Sequence, residues 1–102
     1  MRRIRKLPPI HPGEILLEEF IKPLDLTMNR LAEELHVPAN RVAQIVAGKR
    51  SITGETALRL ARYFGTAPEV WIGLQNNYDL RIARDKFEAE VERQVKPRRK
   101  AA

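Results

Sequence analysis

The chain has no cysteine among its 102 residues. Disulfides and zinc–thiolate sites are thereby excluded, and a reducing compartment is the natural setting. No apolar run exceeds four residues, far short of a bilayer-spanning helix. The basic opening "MRRIRK" is not followed by the apolar stretch of a secretory signal. A cytoplasmic protein is expected. Glycine is scarce, and no glycine-rich phosphate loop or nucleophile elbow can be read. The two histidines, His11 and His36, lie far apart and lack a metal-ligand spacing such as H-E-x-x-H. They are expected to start the first helix and to end the second. The carboxylates fall on solvated helix faces. An enzyme is not expected, nor a metal or cofactor. Period-two alternation is also missing, so no strand is expected and the fold class is all-α.

What is present is a composition that folds: 43% hydrophobic and 31% charged. One small domain fits this length. The net charge of +6 comes from 19 basic and 13 acidic residues. Its placement is uneven. Arg2, Arg3, Arg5 and Lys6 form one terminal cluster, and Lys96, Arg98, Arg99 and Lys100 the other. Between them the body is slightly acidic. Within it, Thr27 to Thr53 holds Arg30, Arg41, Lys49 and Arg50 against Glu33 and Glu34. A local basic patch on a near-neutral body suits a protein that grips an anion with one face.

Residues 1–11, rich in proline, are expected to be a flexible tail. The helical domain spans 12–80, a helical extension 81–96, and a basic tail 97–102. The first helix starts near Pro12, a favoured first-turn residue, and ends at Pro23. Ile15, Leu16 and Phe20 form its apolar stripe, with Glu14, Glu18 and Glu19 facing water. Thr27 caps a second helix that carries Leu31, Ala32 and Leu35 inward. A third runs from about Pro38 to Ala47 and stops at Gly48. Thr53 caps a fourth, closed by Gly65. "TAPE", Thr66 to Glu69, reads as a capping box opening a fifth. A last helical segment with Leu80, Ala83, Phe87 and Val91 follows "NNYDL".

The second and third helices, joined by a short turn, describe a helix-turn-helix. Projected at about 100° per residue, the third helix puts Val42, Ile45 and Val46 on one side. Asn40, Ala43, Gln44 and Ala47 lie opposite, with Arg41 on a flank. A solvated helix face normally carries Glu and Lys; this one carries two amides and two alanines. Asn and Gln can bond adenine bidentately in the major groove, and alanine can meet a thymine methyl. Arg41, Lys49 and Arg50 sit where phosphates would run, and Thr27 and Asn29 open a helix whose N-terminal amides can hold another.

The stretch "RLAEELHVPANRVAQIVAGKR" resembles the phage-repressor-like (XRE) helix-turn-helix family. With "HPGEIL" and "TALRLARYFGTAPEVWIGLQNNYDL" it resembles more specifically the HigA-type antitoxins, also called VapI or virulence-associated protein I. The resemblance covers His11 to Leu80. It implies a five-helix, lambda-repressor-like domain with a C-terminal helical extension, bound as a homodimer to double-stranded operator DNA and repressing its own operon. It also implies a cognate HigB-type toxin, a messenger-RNA nuclease. Ala39, Asn40 and Gln44 align with base-reading positions of that class, and Ala43 shares their face. Arg41 and Lys49 align with positions that commonly touch DNA. Two departures stand out: Pro38, where a capping Ser or Thr is common, and Ala47, where many relatives are polar.

The dimer-interface candidates are Trp71, Leu74, Tyr78, Leu80 and Phe87, because aromatic residues are enriched at interfaces. For Trp71 the core is the competing place. The toxin-binding candidates are Glu14, Glu18 and Glu19, since an acidic face attracts a basic nuclease. The C-terminal helix, whose charges cancel, is the other candidate surface. A solitary regulator without a toxin stays open. So does an RNA- or protein-binding adaptor, although no stacking aromatic lies on the Asn40–Gln44 face.

Overall fold

A computed structural model describes residues 8–99. Arg2, Arg3, Arg5, Lys6 and Lys100, counted above in the basic tails, lie outside the described residues. Within them the chain is all helical, with no strand. α1 (Pro12–Ile15) runs straight into a π-helical segment (Leu16–Ile21), and together they make the first helix. α2 (Met28–Leu35), α3 (Ala39–Val46), α4 (Gly54–Phe64) and α5 (Pro68–Gln94) follow.

Local chemistry accounts for most boundaries. The Nδ1 of His11 accepts the Gly13 N–H at 2.9 Å and caps α1, with Pro12 in the first turn. The hydroxyl of Thr27 accepts the Arg30 N–H at 3.0 Å and caps α2. α2 ends at His36, whose φ of 59° is left-handed. Thr53 caps α4 through the Thr56 N–H, and Gly65 closes it.

Three elements differ from expectation. The first helix widens to a π-helix, so its buried pair is Leu16 and Ile21, and Phe20 is only partly covered. The bonds Lys22 N–H to Leu17 C=O and Leu26 N–H to Ile21 C=O, both 3.0 Å, show the wider turn. The "TAPE" capping box is not formed: Ala67 is the cap residue and no side chain bonds there. The hydroxyl of Thr66 instead accepts the indole N–H of Trp71 at 2.9 Å. Finally, α5 does not break at "NNYDL" but continues through it for 27 residues.

The core is a single cluster that includes Leu16, Leu31, Leu35, Val42, Ile45, Leu60 and Trp71. Trp71 is fully buried, with the rings of Phe20 and Phe64 at 5.1 and 6.4 Å. It is therefore a core residue and not a dimer contact. Leu74 packs against the same core. Tyr78 is half-buried, edge-on to the His11 ring at 4.8 Å. Of the five interface candidates only Leu80 and Phe87 remain exposed.

Gln75 ties the long helix to the loop after α3. Although polar, it is 4% exposed. Its Oε1 accepts the buried Ile52 N–H at 2.8 Å, and its Nε2 donates to Asp79 at 2.9 Å. Both ends of the amide are satisfied, which is what makes a buried amide tolerable.

Candidate nucleic-acid interface

α3 lies with Val42 and Ile45 buried against the core. Ala39, Asn40, Ala43 and Ala47 are exposed, and Gln44 and Arg41 half-buried. The structure thus brings the four base-reading candidates, Ala39, Asn40, Ala43 and Gln44, onto one helix whose outer face carries neither Glu nor Lys. Pro38 precedes the helix without a side-chain cap, as its missing hydroxyl requires.

Behind α3 stands α1. A Cβ built on Gly13 would overlap the carbonyl oxygen of Ile45 and lie 2.6 Å from the Ile45 carbonyl carbon and 2.9 Å from the Val46 Cα. Only glycine lets the two backbones cross this closely. This contact seats α3, and the sequence signals it only as the glycine of "HPGE".

The positive charges are unequal. Arg30 pairs with Glu34 at 3.3 Å and reaches Glu33 at 3.9 Å, so it adds little to the patch. Arg41 has a buried Nε with no hydrogen-bond partner. The carboxyl of Glu55, at the start of α4, is held below its usual range, first by a hydrogen bond and charge from Arg59 and in smaller part by Arg41. Arg41 is thus near enough to the start of α4 for its charge to be felt there. Lys49 is exposed beyond the helix. Thr27 and Asn29 are exposed at the start of α2, the Thr27 hydroxyl already serving as its cap.

Past α3 the chain reverses at Gly48, whose φ is 76°. The Lys49 N–H then bonds back to the Gln44 carbonyl at 2.8 Å, closing the helix. The reversal returns Arg50 to the helix, where its Nε donates to the Gln44 side-chain oxygen at 2.9 Å. This pairing was not legible in the sequence, since it depends on the left-handed turn between them.

His11 lies where α1, α5 and the end of α3 meet. It touches Tyr78, and its ring carbon would lie 3.9 Å from a Cβ on Gly48. Burial lowers its pKa from the ordinary 6.5, opposed by the charge of Asp79. The lowered value suits its cap, because Nδ1 must be unprotonated to accept. The unfolded chain therefore takes up the proton first as pH falls. The stabilisation is full above about pH 6.5 and is lost as pH drops from there through the folded-state pKa. Denaturation midpoints of the wild type and His11→Asn should converge or cross as pH falls from about 7.5 to 5, because asparagine keeps a cap acceptor without titrating. A difference that is constant with pH would remove His11 as the titrating group.

A helix-turn-helix family model matches residues 17–71. Virulence-associated protein I of Dichelobacter nodosus is 50% identical over 78 residues, covering 76% of this chain and 72% of that protein. Antitoxin HigA-1 of Vibrio cholerae is 35% identical over 95 residues, covering 93% of this chain and 89% of that one. Among solved structures, Pseudomonas aeruginosa antitoxin HigA with the higBA promoter superposes with a TM-score of 0.86 at 39% identity, covering 90% of this chain and 100% of that chain. The chain accordingly belongs to the helix-turn-helix family, in the group that holds virulence-associated protein I and the HigA antitoxins.

Proposed function

We propose that this chain is a sequence-specific DNA-binding antitoxin that represses its own operon and neutralises a HigB-type nuclease toxin. The observation that carries the DNA half is the outer face of α3: exposed Asn40 and Ala43 with Gln44, flanked by Arg41, Lys49 and Arg50. Such a face fits the major groove, with amides toward base edges and cations toward phosphates. Thr27 and Asn29 at the start of α2 complete the phosphate-facing set. The likeness to an antitoxin solved with its promoter supports the same reading.

The homodimer forms through the outer half of α5. There Leu80, Phe87 and Val91 are 50%, 51% and 49% exposed, with Ala83 on the same groove. Helical spacing puts them on one stripe, an apolar surface that a second copy would cover. A two-fold pair would set two α3 helices about 34 Å apart, one turn of DNA. For the toxin, Glu14, Glu18 and Glu19 all remain exposed on the first helix, with Lys22 offsetting Glu18 at 2.9 Å.

The test uses the DNA upstream of the protein's own gene and the adjacent reading frame. The wild type should bind that DNA as a dimer and restore growth when the neighbouring frame is toxic. Phe87→Asp should be monomeric by light scattering at micromolar concentration and lose about 100-fold in operator affinity, the order expected when two linked half-sites become one. A wild-type monomer that binds a single half-site overturns the dimer. A harmless neighbouring frame leaves a solitary regulator.

A further inference from the structure

The outer face of α3 holds one side-chain hydrogen bond that the DNA-binding reading does not use, between Arg50 and Gln44. Gln44 is the face's longest amide and has several rotatable bonds. Alone it could present either its oxygen or its amino group to a base. The Arg50 Nε, 2.9 Å from Oε1, removes that choice. A guanidinium only donates, so the end it touches must be the oxygen. The amino group is then the end left over, with two N–H donors, while the oxygen keeps a second lone pair. The backbone reinforces the arrangement. Gly48 at φ 76° and the 2.8 Å bond from the Lys49 N–H to the Gln44 carbonyl fix the turn that brings Arg50 back.

We propose that Arg50 is a specificity-determining positioning residue, which sets the orientation of the Gln44 amide so that Gln44 presents its amino group to an acceptor on a purine edge. The inference rests on the DNA-binding reading above and revises one part of it: Arg50 acts through Gln44, not only on phosphate. Adenine suits the pair, because N7 accepts from the amino group and N6 donates to the oxygen's second lone pair. Ordering the amide before binding also lowers the entropy lost on contact.

The experiment starts from a duplex that the wild type selects from a random-sequence library. Affinities are then measured on that duplex, on its single-base variants and on an unrelated duplex, at several salt concentrations. The proteins are wild type, Gln44→Ala, Arg50→Ala, Arg50→Lys and the double alanine variant. Arg50→Ala should lose about five- to tenfold in discrimination at the base pair whose readout Gln44→Ala also loses. The double variant should discriminate no worse there than Gln44→Ala alone. Arg50→Lys should keep the wild-type salt slope and lose part of the discrimination, since its ammonium keeps the charge and can still donate but lacks the rigid planar guanidinium that aims the bond. If Arg50→Ala weakens binding equally on every duplex with base preference intact, Arg50 is a phosphate contact and the proposal fails. If the wild type enriches no sequence, the DNA-binding reading fails and takes this one with it. Arg50 is exposed, so its substitution leaves the fold intact, and thermal melts of each variant check this.

Discussion

Replacing Gly13 by alanine is expected to cost about 3 kcal/mol or more, because the added methyl meets backbone that has no rotamer with which to yield. The obstructing atoms are the carbonyl of Ile45 and the Cα of Val46, all on α3. Either α1 withdraws and loses its cap on His11, or α3 is pushed outward. Both outcomes reach the face that carries Asn40 and Gln44. The melting temperature should fall by roughly 12 °C or more, on the scale of 4–8 °C per kcal/mol for a domain of this size. Operator affinity measured well below the new midpoint should fall as well. A variant that melts within about 2 °C of wild type would show that the two helices are not in backbone contact.

Trp71→Ala should be comparably severe, at about 3–5 kcal/mol. The indole is wholly buried and lies against Phe20 and Phe64, so its removal opens a cavity between the first helix, α4 and α5. It also strips the Thr66 hydroxyl of its donor. As the chain's one tryptophan, it reports on itself: its fluorescence in the folded wild type should be blue-shifted and should move red on unfolding. Chemical denaturation of both proteins, followed by far-ultraviolet dichroism, gives the difference in stability. A loss below about 1 kcal/mol would mean that the ring does not fill the core.

Much of the fold could be read in advance wherever a boundary has a local cause. Thr27 and Thr53 cap because a hydroxyl at that point has an N–H within reach, and Gly48 and Gly65 stop helices because they accept a left-handed backbone. Expectations failed where a distant residue decided. Thr66 has every local attribute of a cap, yet Trp71 five residues on claims its hydroxyl. "NNYDL" has poor helix formers and looked like a break. Gln75 anchored on Ile52 and Tyr78 set against His11 hold it helical all the same, an instance of tertiary contacts overriding propensity. The π-helical turn likewise answers to how Leu16 and Ile21 both reach the core. For the candidate site, the amide-and-alanine face was visible from periodicity alone. The Gly13 crossing and the Arg50–Gln44 bond were not, because each joins segments whose meeting the sequence does not state.

The division of labour within α3 bears on how such modules diverge. Asn40, Ala43 and Ala47 are exposed, while Val42 and Ile45 are buried in the core and Val46 packs against it. Substitutions at exposed helix positions usually change stability by less than about 0.5 kcal/mol. If the outer face of α3 reads the operator as proposed, a duplicated gene can drift at these positions and acquire a new operator while its fold is untouched. Gln44 is less free, since changing it also releases Arg50. Sister copies in one genome would on this account separate first at Asn40, Ala43 and Ala47, and cross-talk between their promoters would fade before either copy lost its ability to fold.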